Sequence, residues 1–148
     1  MALEIPAKSR LPIVLAYTKS FVGMPYIWGG AHPSLGYDCS GLVQEFLAAG
    51  GLDPAGDQTA QSLYSTMKDS CKILLKSETE AGALVFFGND FSNLTHVAFA
   101  IDERHMIEAG GGGRSTKTVQ DAIARVAFVR VRPIDSRKDF VACLLPKY

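Results

Sequence analysis

Apolar residues recur at Cys39, Leu42, Val43, Phe46 and Leu47, the i, i+3, i+4, i+7, i+8 spacing of one helical face, which no strand can use. Asp38 stands where an N-cap belongs, and Gly50-Gly51 closes the pattern. Such a stripe needs an apolar surface to cover it, and the chain supplies one after Lys72. There, β-branched and aromatic runs at 83–87, 95–101, 105–109, 126–132 and 140–145 alternate with turn residues and read as strands. Upstream, 9–22 reads as a helix capped by Ser9, with Pro12 in its first turns and Gly23 as its stop. A third helix is expected near 58–67, capped by Asp57, and a brief fourth at about 117–125 after Ser115 or Thr116. Residues 23–36 read as loop. Helices first and strands second, joined by short turns, give an α+β fold with the N-terminal helices packed on a central antiparallel sheet. Neither an internal repeat nor a linker divides the chain, so 1–148 is read as one domain.

A chain of 148 residues, 47% hydrophobic, can bury a sizeable core without disulfides or a metal. With 15 Lys+Arg against 15 Asp+Glu, it lacks the general basic field of a nucleic-acid binder. No apolar run approaches the roughly 18 residues of a membrane span. Lys8 and Arg10 precede an apolar stretch, the order seen in a signal peptide. That stretch is short, contains Pro12 and is followed by no small-x-small cleavage site, so the segment reads as an amphipathic first helix. Three cysteines cannot all pair within one chain, which fits synthesis in a reducing cytoplasm. The His and Cys residues never cluster at metal-ligand spacing, so no metal or cofactor is expected.

The chemistry gathers at Cys39. Backbone N–H groups in the first turn of a helix favour an anion, which promotes the thiolate and offers donors to an oxyanion. The competing reading is a core cysteine acting as a small hydrophobe. A nucleophilic thiol needs a base. His32 lies in a Gly/Pro loop and His105 in a predicted turn, whereas His96 begins a strand that can hold an imidazole still. A hairpin turning at about 101–105 brings residue 108 back beside 96. Glu108 interrupts an apolar run, where a carboxylate requires a cationic or donor partner. Paired with His96 it would orient the imidazole; the alternative is an outward-facing edge residue.

Gly23-Met24-Pro25-Tyr26-Ile27-Trp28-Gly29-Gly30, Asp38-Cys39-Ser40-Gly41-Leu42-Val43, Leu84-Val85-Phe86-Phe87 and His96-Val97-Ala98-Phe99-Ala100-Ile101 with Met106-Ile107-Glu108-Ala109 together resemble the NlpC/P60 family of cell-wall cysteine peptidases. The likeness runs from about residue 10 to about 132. It implies a compact papain-like fold that hydrolyses peptidoglycan stem peptides or muropeptides, usually between γ-D-glutamate and a diamino acid. By the same resemblance Cys39 is the nucleophile, His96 the base and Tyr26 the aromatic near the oxyanion. Trp28 belongs to the substrate site, and Asp38 and Ser40 receive the free amino end of the substrate. Three departures stand out. The third polar position, most often His in this family, is Glu108; Gly82-Ala83 replaces the usual Gly-Asp; and Gly110-Gly111-Gly112-Gly113-Arg114 follows Glu108 directly.

Acyl transfer through the same thioester, and a catalytically idle wall-binding module with Glu108 as the disabling change, remain alternatives at this level. Lacking a recognisable signal peptide, the protein is expected to act on muropeptides in the cytoplasm or to reach the wall by phage or secretion. Cys71 and Cys143 have no motif around them; they read as structural thiols, with a bridge between them left open. Arg130–Arg132 and Arg137-Lys138 read as solvated strand edges, or alternatively as basic residues that help dock an anionic wall polymer.

Overall fold

The structure, a computed structural model, describes residues 9–148. Helix α1 (Leu11–Thr18) starts with Pro12 in its first turn and continues as a 3₁₀ turn over Lys19–Phe21. A two-residue hairpin follows, β1 (Ala31–His32) with β2 (Gly36–Tyr37), and then helices α2 (Cys39–Ala49) and α3 (Ala60–Met67). The rest is mainly sheet: β3 (Lys72–Leu74), β4 (Leu84–Asp90), β5 (Asn93–Ala100), β6 (His105–Gly110), β7 (Phe128–Pro133) and β8 (Phe140–Leu145). Helix α4 (Val119–Arg125) intervenes before β7. These six strands form one antiparallel sheet in the order β3-β8-β4-β5-β6-β7.

Alternation along the strands gives the sheet two apolar faces. Leu84, Phe86, Val97, Phe99 and Ile107 join Leu42, Phe46 and Leu63 in the larger cluster under the helices. Val85, Phe87, Ala98, Ala100, Met106 and Cys143 form a second cluster on the other side. Leu42, Val43, Phe46 and Leu47 of α2 are fully buried, each such side chain contributing roughly 1.5–3 kcal/mol. Packing of α2 on β5 and β6 therefore fixes where its N-terminus points.

The elements expected from sequence are present with shifted ends. Gly50-Gly51 ends α2, with Gly51 at φ +72°, the left-handed conformation a helix stop requires. The first helix ends earlier than expected, at Thr18, and Arg10 rather than Ser9 is its N-cap, although Ser9 Oγ accepts from the N–H of Leu11. Helix α3 is capped by Thr59, not Asp57, through a reciprocal box with Ser62. Helix α4 is capped likewise by Thr118 with Asp121. Strands β1, β2 and β3, each two or three residues long, carry too little pattern to be read in advance.

Val126, expected in a strand, is instead the left-handed C-cap of α4 at φ +53°, the one non-glycine residue at positive φ among the described residues. A β-branched side chain there costs about 1–2 kcal/mol, and this one is 68% exposed, so packing returns little. Val126→Gly is expected to stabilise the protein by roughly 1 kcal/mol, a rise in Tm of about 2–4 °C by calorimetry. A lower Tm would show that the side chain makes a contribution that outweighs its backbone strain.

Candidate active site

The two glycine-containing segments read from sequence are locked together around the N-terminus of α2. Asp38 adopts extended φ/ψ and caps the helix, its Oδ1 accepting from Gly41 N at 2.8 Å and from Ser40 Oγ at 3.3 Å. Its Oδ2 accepts from Gly29 N at 3.1 Å, and its own N–H donates to Gly30 O. A Cβ at Gly41 would collide with the Gly30 carbonyl, so only glycine lets the loop and the helix approach this closely. Cys39 is thereby held as the first residue of the helix, half-buried at the cleft floor. Burial chiefly, with the Asp57 charge adding to it, raises the Asp38 carboxyl above its usual range; the hydrogen bonds from Gly41, Ser40 and Gly29 act in the opposite direction.

His96 lies on β5, and its Nε2 is 2.6 Å from Oε2 of Glu108 on β6. Pairing between β5 and β6 runs through Phe99↔Ile107 and Ala100↔Met106. Extended by that register, Ala98 would face Glu108, so His96 reaches the carboxylate diagonally, as long side chains can. Glu108 is only 1% exposed, and its second oxygen, Oε1, accepts from Arg132 Nη1 at 3.2 Å and Arg130 Nε at 3.4 Å. Burial pushes the Glu108 carboxyl up, but His96, then Arg130 and Arg132, outweigh it and hold it down near 2. For His96 burial works downward, and the Cys39 thiol and Glu108 overcome it, raising the imidazole to about 9. An ionised carboxylate only accepts, so Nε2 carries the proton donated to Glu108 and Nδ1 is left for Cys39. The structure thus brings together the three residues expected to act together.

They open into a cleft of about 730 Å³. Tyr26, Trp28, Asp38 and Ser40 line it, as the sequence reading placed them. The buried Tyr26 ring lies under Gly112, where a Cβ would strike the ring atoms; burial and then the Cys39 and Asp38 charges raise its phenol. Trp28 is 47% exposed, with the Arg114 guanidinium 5.8 Å from its ring centroid. His32 is exposed and bonds Ser34, and the half-buried His105 pairs with Asp102; neither lines the cleft. Cys71 and Cys143 are free thiols, and Cys143 is buried against Thr79.

Some residues with a part in the site escaped the sequence reading. Asp57, read as a cap, faces the cleft beside Asp38 because buried Gln44 of α2 holds the 53–58 loop, donating to Asp53 Oδ1 and Gly56 O and accepting from Gln58 N. Arg130, Arg132 and Arg137 are not the solvated edges expected. Arg130 and Arg132 share the parity that points at Glu108, opposite Arg130 in the ladder. Arg137 forks onto Asp139 and stacks over Phe87, whose ring is 5.9 Å from that of His96. Their signal was Arg-x-Arg alternation on a strand opposite a lone carboxylate. Among the described residues no group of three or more His, Cys, Asp or Glu is arranged to hold a metal, and no helix is long and apolar enough to cross a membrane.

A folded-state imidazole raised from 6.5 to about 9 contributes stability that is complete below pH 6.5 and lost as pH rises through 9. The Tm of the parent is expected to fall across that window, and Glu108→Gln to flatten the slope there. Equal slopes in parent and variant would show that the pair does not hold the imidazolium.

Residues 23–133 match the model of the NlpC/P60 family. The bifunctional muramidase/DL-endopeptidase CwlT of Bacillus subtilis (strain 168) is 32% identical over 124 residues, covering 80% of this chain and 36% of that protein. The gamma-D-glutamyl-L-lysine dipeptidyl-peptidase of Bacillus cereus (strain ATCC 10987 / NRS 248) is 31% identical over 103 residues, 68% of this chain and 29% of the relative. The chain therefore spans about a third of the length of these curated relatives. Among solved structures, RipD of Mycobacterium tuberculosis, described as a non-catalytic NlpC/p60 domain protein adapted to peptidoglycan binding, superposes with a TM-score of 0.69. It is 21% identical, and the match covers 95% of this chain and 99% of that one. The mixed helix and antiparallel-sheet fold, the matched residues and the relatives agree: this chain belongs to the NlpC/P60 family.

Proposed function

We propose that this chain is a cysteine peptidase that hydrolyses peptidoglycan stem peptides at the bond between γ-D-glutamate and a diamino acid. The observation that carries this reading is the buried His96–Glu108 pair beside a thiol at a helix N-terminus. His96 Nδ1 takes the Cys39 proton, and the thiolate attacks the scissile carbonyl carbon. The oxyanion forms where the N–H of Cys39 and the dipole of α2 are directed, beside Tyr26. Imidazolium returns the proton to the departing amine, leaving a thioester on Cys39. The neutral imidazole then draws a proton from water, which attacks the thioester and frees the acid and the thiol. Glu108 keeps Nε2 protonated and stabilises the imidazolium at each stage.

Asp38 and Asp57 give one end of the cleft a negative character suited to the free amino end of the substrate, with Ser40 alongside. Relatives named for DL-endopeptidase and γ-D-glutamyl-L-lysine dipeptidyl-peptidase activities support the choice of bond. Small muropeptides are the substrates this reading assigns to the cleft; the route by which the protein meets them, in the cytoplasm or delivered to the wall by phage or secretion, belongs to the same proposal. RipD, described as a non-catalytic domain of this fold, represents the alternative of binding without cutting; the presence of Cys39, His96 and Glu108 together favours catalysis here.

Tri- and tetrapeptide stems, with the amino end free or blocked, are incubated with the protein and the products read by mass. Cleavage on the carboxyl side of γ-D-glutamate, abolished by Cys39→Ala with the fold intact, is expected. Glu108→Gln is expected to lower kcat by up to about 10⁴-fold while sparing KM. A parent that binds stems and cuts none would make this a binding domain. A fully active Glu108→Gln would remove Glu108 from the catalytic group.

A further inference from the structure

The two arginines facing Glu108 have no place in the reaction just described, yet they take one of its two oxygens. Arg130 lies directly opposite Glu108 in the β6–β7 ladder; Arg132 lies opposite Met106, two residues along the same face. Both guanidiniums converge on Oε1, while Oε2 is left to His96. Gly110 gives them room, since a Cβ there would stand 3.0 Å from Oε1 and 3.2 Å from Arg130. The division of labour between the oxygens fixes the carboxylate's rotamer, so the one facing His96 cannot swing away without breaking two charge-assisted contacts.

Charge gives a second reason. A neutral side chain in this position would orient the imidazole without altering the local charge. A carboxylate adds a full negative charge beside a group that must release a proton as readily as it accepts one. Unopposed at 1% exposure, it would be costly to bury and would grip the imidazolium too firmly for an acid–base catalyst. We propose that Arg130 and Arg132 are positioning residues that hold Glu108 toward His96 and offset its charge, setting how firmly the imidazole keeps its proton. This inference rests on the reading of Cys39, His96 and Glu108 as the catalytic group.

Other groups also face the imidazole. Cys39 approaches from α2, and Asp139 with its forked partner Arg137 from the connection between β7 and β8. The Arg137–Asp139 pair neutralises itself, so the balance is struck on Glu108.

The test follows the ring signals of isotopically labelled histidine by NMR across pH in the parent, Arg130→Gln, Arg132→Gln, the double variant and Arg132→Lys. His32 and His105 serve as internal controls. Removing a cation near the ring favours the imidazolium, so the His96 midpoint is expected to rise, by about one pH unit in the double variant and less in each single one. Arg132→Lys, which keeps the charge, is expected to stay with the parent. The alkaline limb of the kcat/KM profile moves with the midpoint. A His96 midpoint that is unchanged or lower in the folded single variants overturns the inference. The two readings fail separately. If the parent cuts no stem peptide but the variants show the upward shift, the peptidase reading alone is lost. If the parent cuts stems and the variants show no shift, the arginine assignment alone is lost.

Discussion

A carboxylate removed almost entirely from water must be answered by positive charge, and in this molecule that requirement shapes one end of the sheet. Glu108 is answered on one oxygen by His96 and on the other by Arg130 and Arg132, from the strands on either side of its own. A buried ion pair is weak evidence for added stability, because desolvation offsets most of the attraction. Its value here is geometric. Four polar groups on three strands have one mutually consistent arrangement, and it leaves the imidazole's second nitrogen facing α2.

The sulfur is placed by an independent device. Asp38 is at once the cap of α2, the acceptor for Gly29 and Ser40, and a donor to the Gly30 carbonyl. Substituting any of these neighbours would disturb the helix start, and with it the thiol. The apolar stripe from Leu42 to Leu47 presses the same helix onto β5 and β6, the strands that carry His96 and Glu108. One packing interface therefore sets the distance between Cys39 and His96, while local hydrogen bonds set their orientations. Capping is worth about 1 kcal/mol, and burial of the stripe several times that, so position is secured more strongly than angle.

Legibility in the sequence followed the same division. Helix α2 was readable because its period, cap and stop all agree, and β8 because its apolar run has clear ends. The His96–Glu108 pair was readable because a lone carboxylate in an apolar strand demands a partner. The arginines that answer it were not: charged residues on a terminal strand of a sheet look solvated until the neighbouring strand and its register are known. Val126 went astray for a different reason: α4 ends on it with a left-handed C-cap, a conformation that the propensity of a β-branched residue opposes. The cap of α3 shifted by two residues, from Asp57 to Thr59. That small displacement matters, because it frees Asp57 from helix capping and leaves its carboxylate at the cleft.

Four glycines in a row, Gly110 to Gly113, permit close backbone approach or mobility, and the structure separates their uses. Gly110 vacates the volume occupied by Glu108 and Arg130, and Gly112 lets the backbone lie on the ring of Tyr26. Gly113 has open space where a Cβ would stand. Close approach is thus required beside Glu108 and the ring of Tyr26, and ends before Arg114, which reaches Trp28. Between the buried carboxylate and the exposed arginine, a Cβ at Gly110 would crowd Glu108, one at Gly112 would strike Tyr26, and Gly111 takes a φ of +85°. The glycines are the consequence of placing Glu108, Tyr26 and Arg114 around one opening.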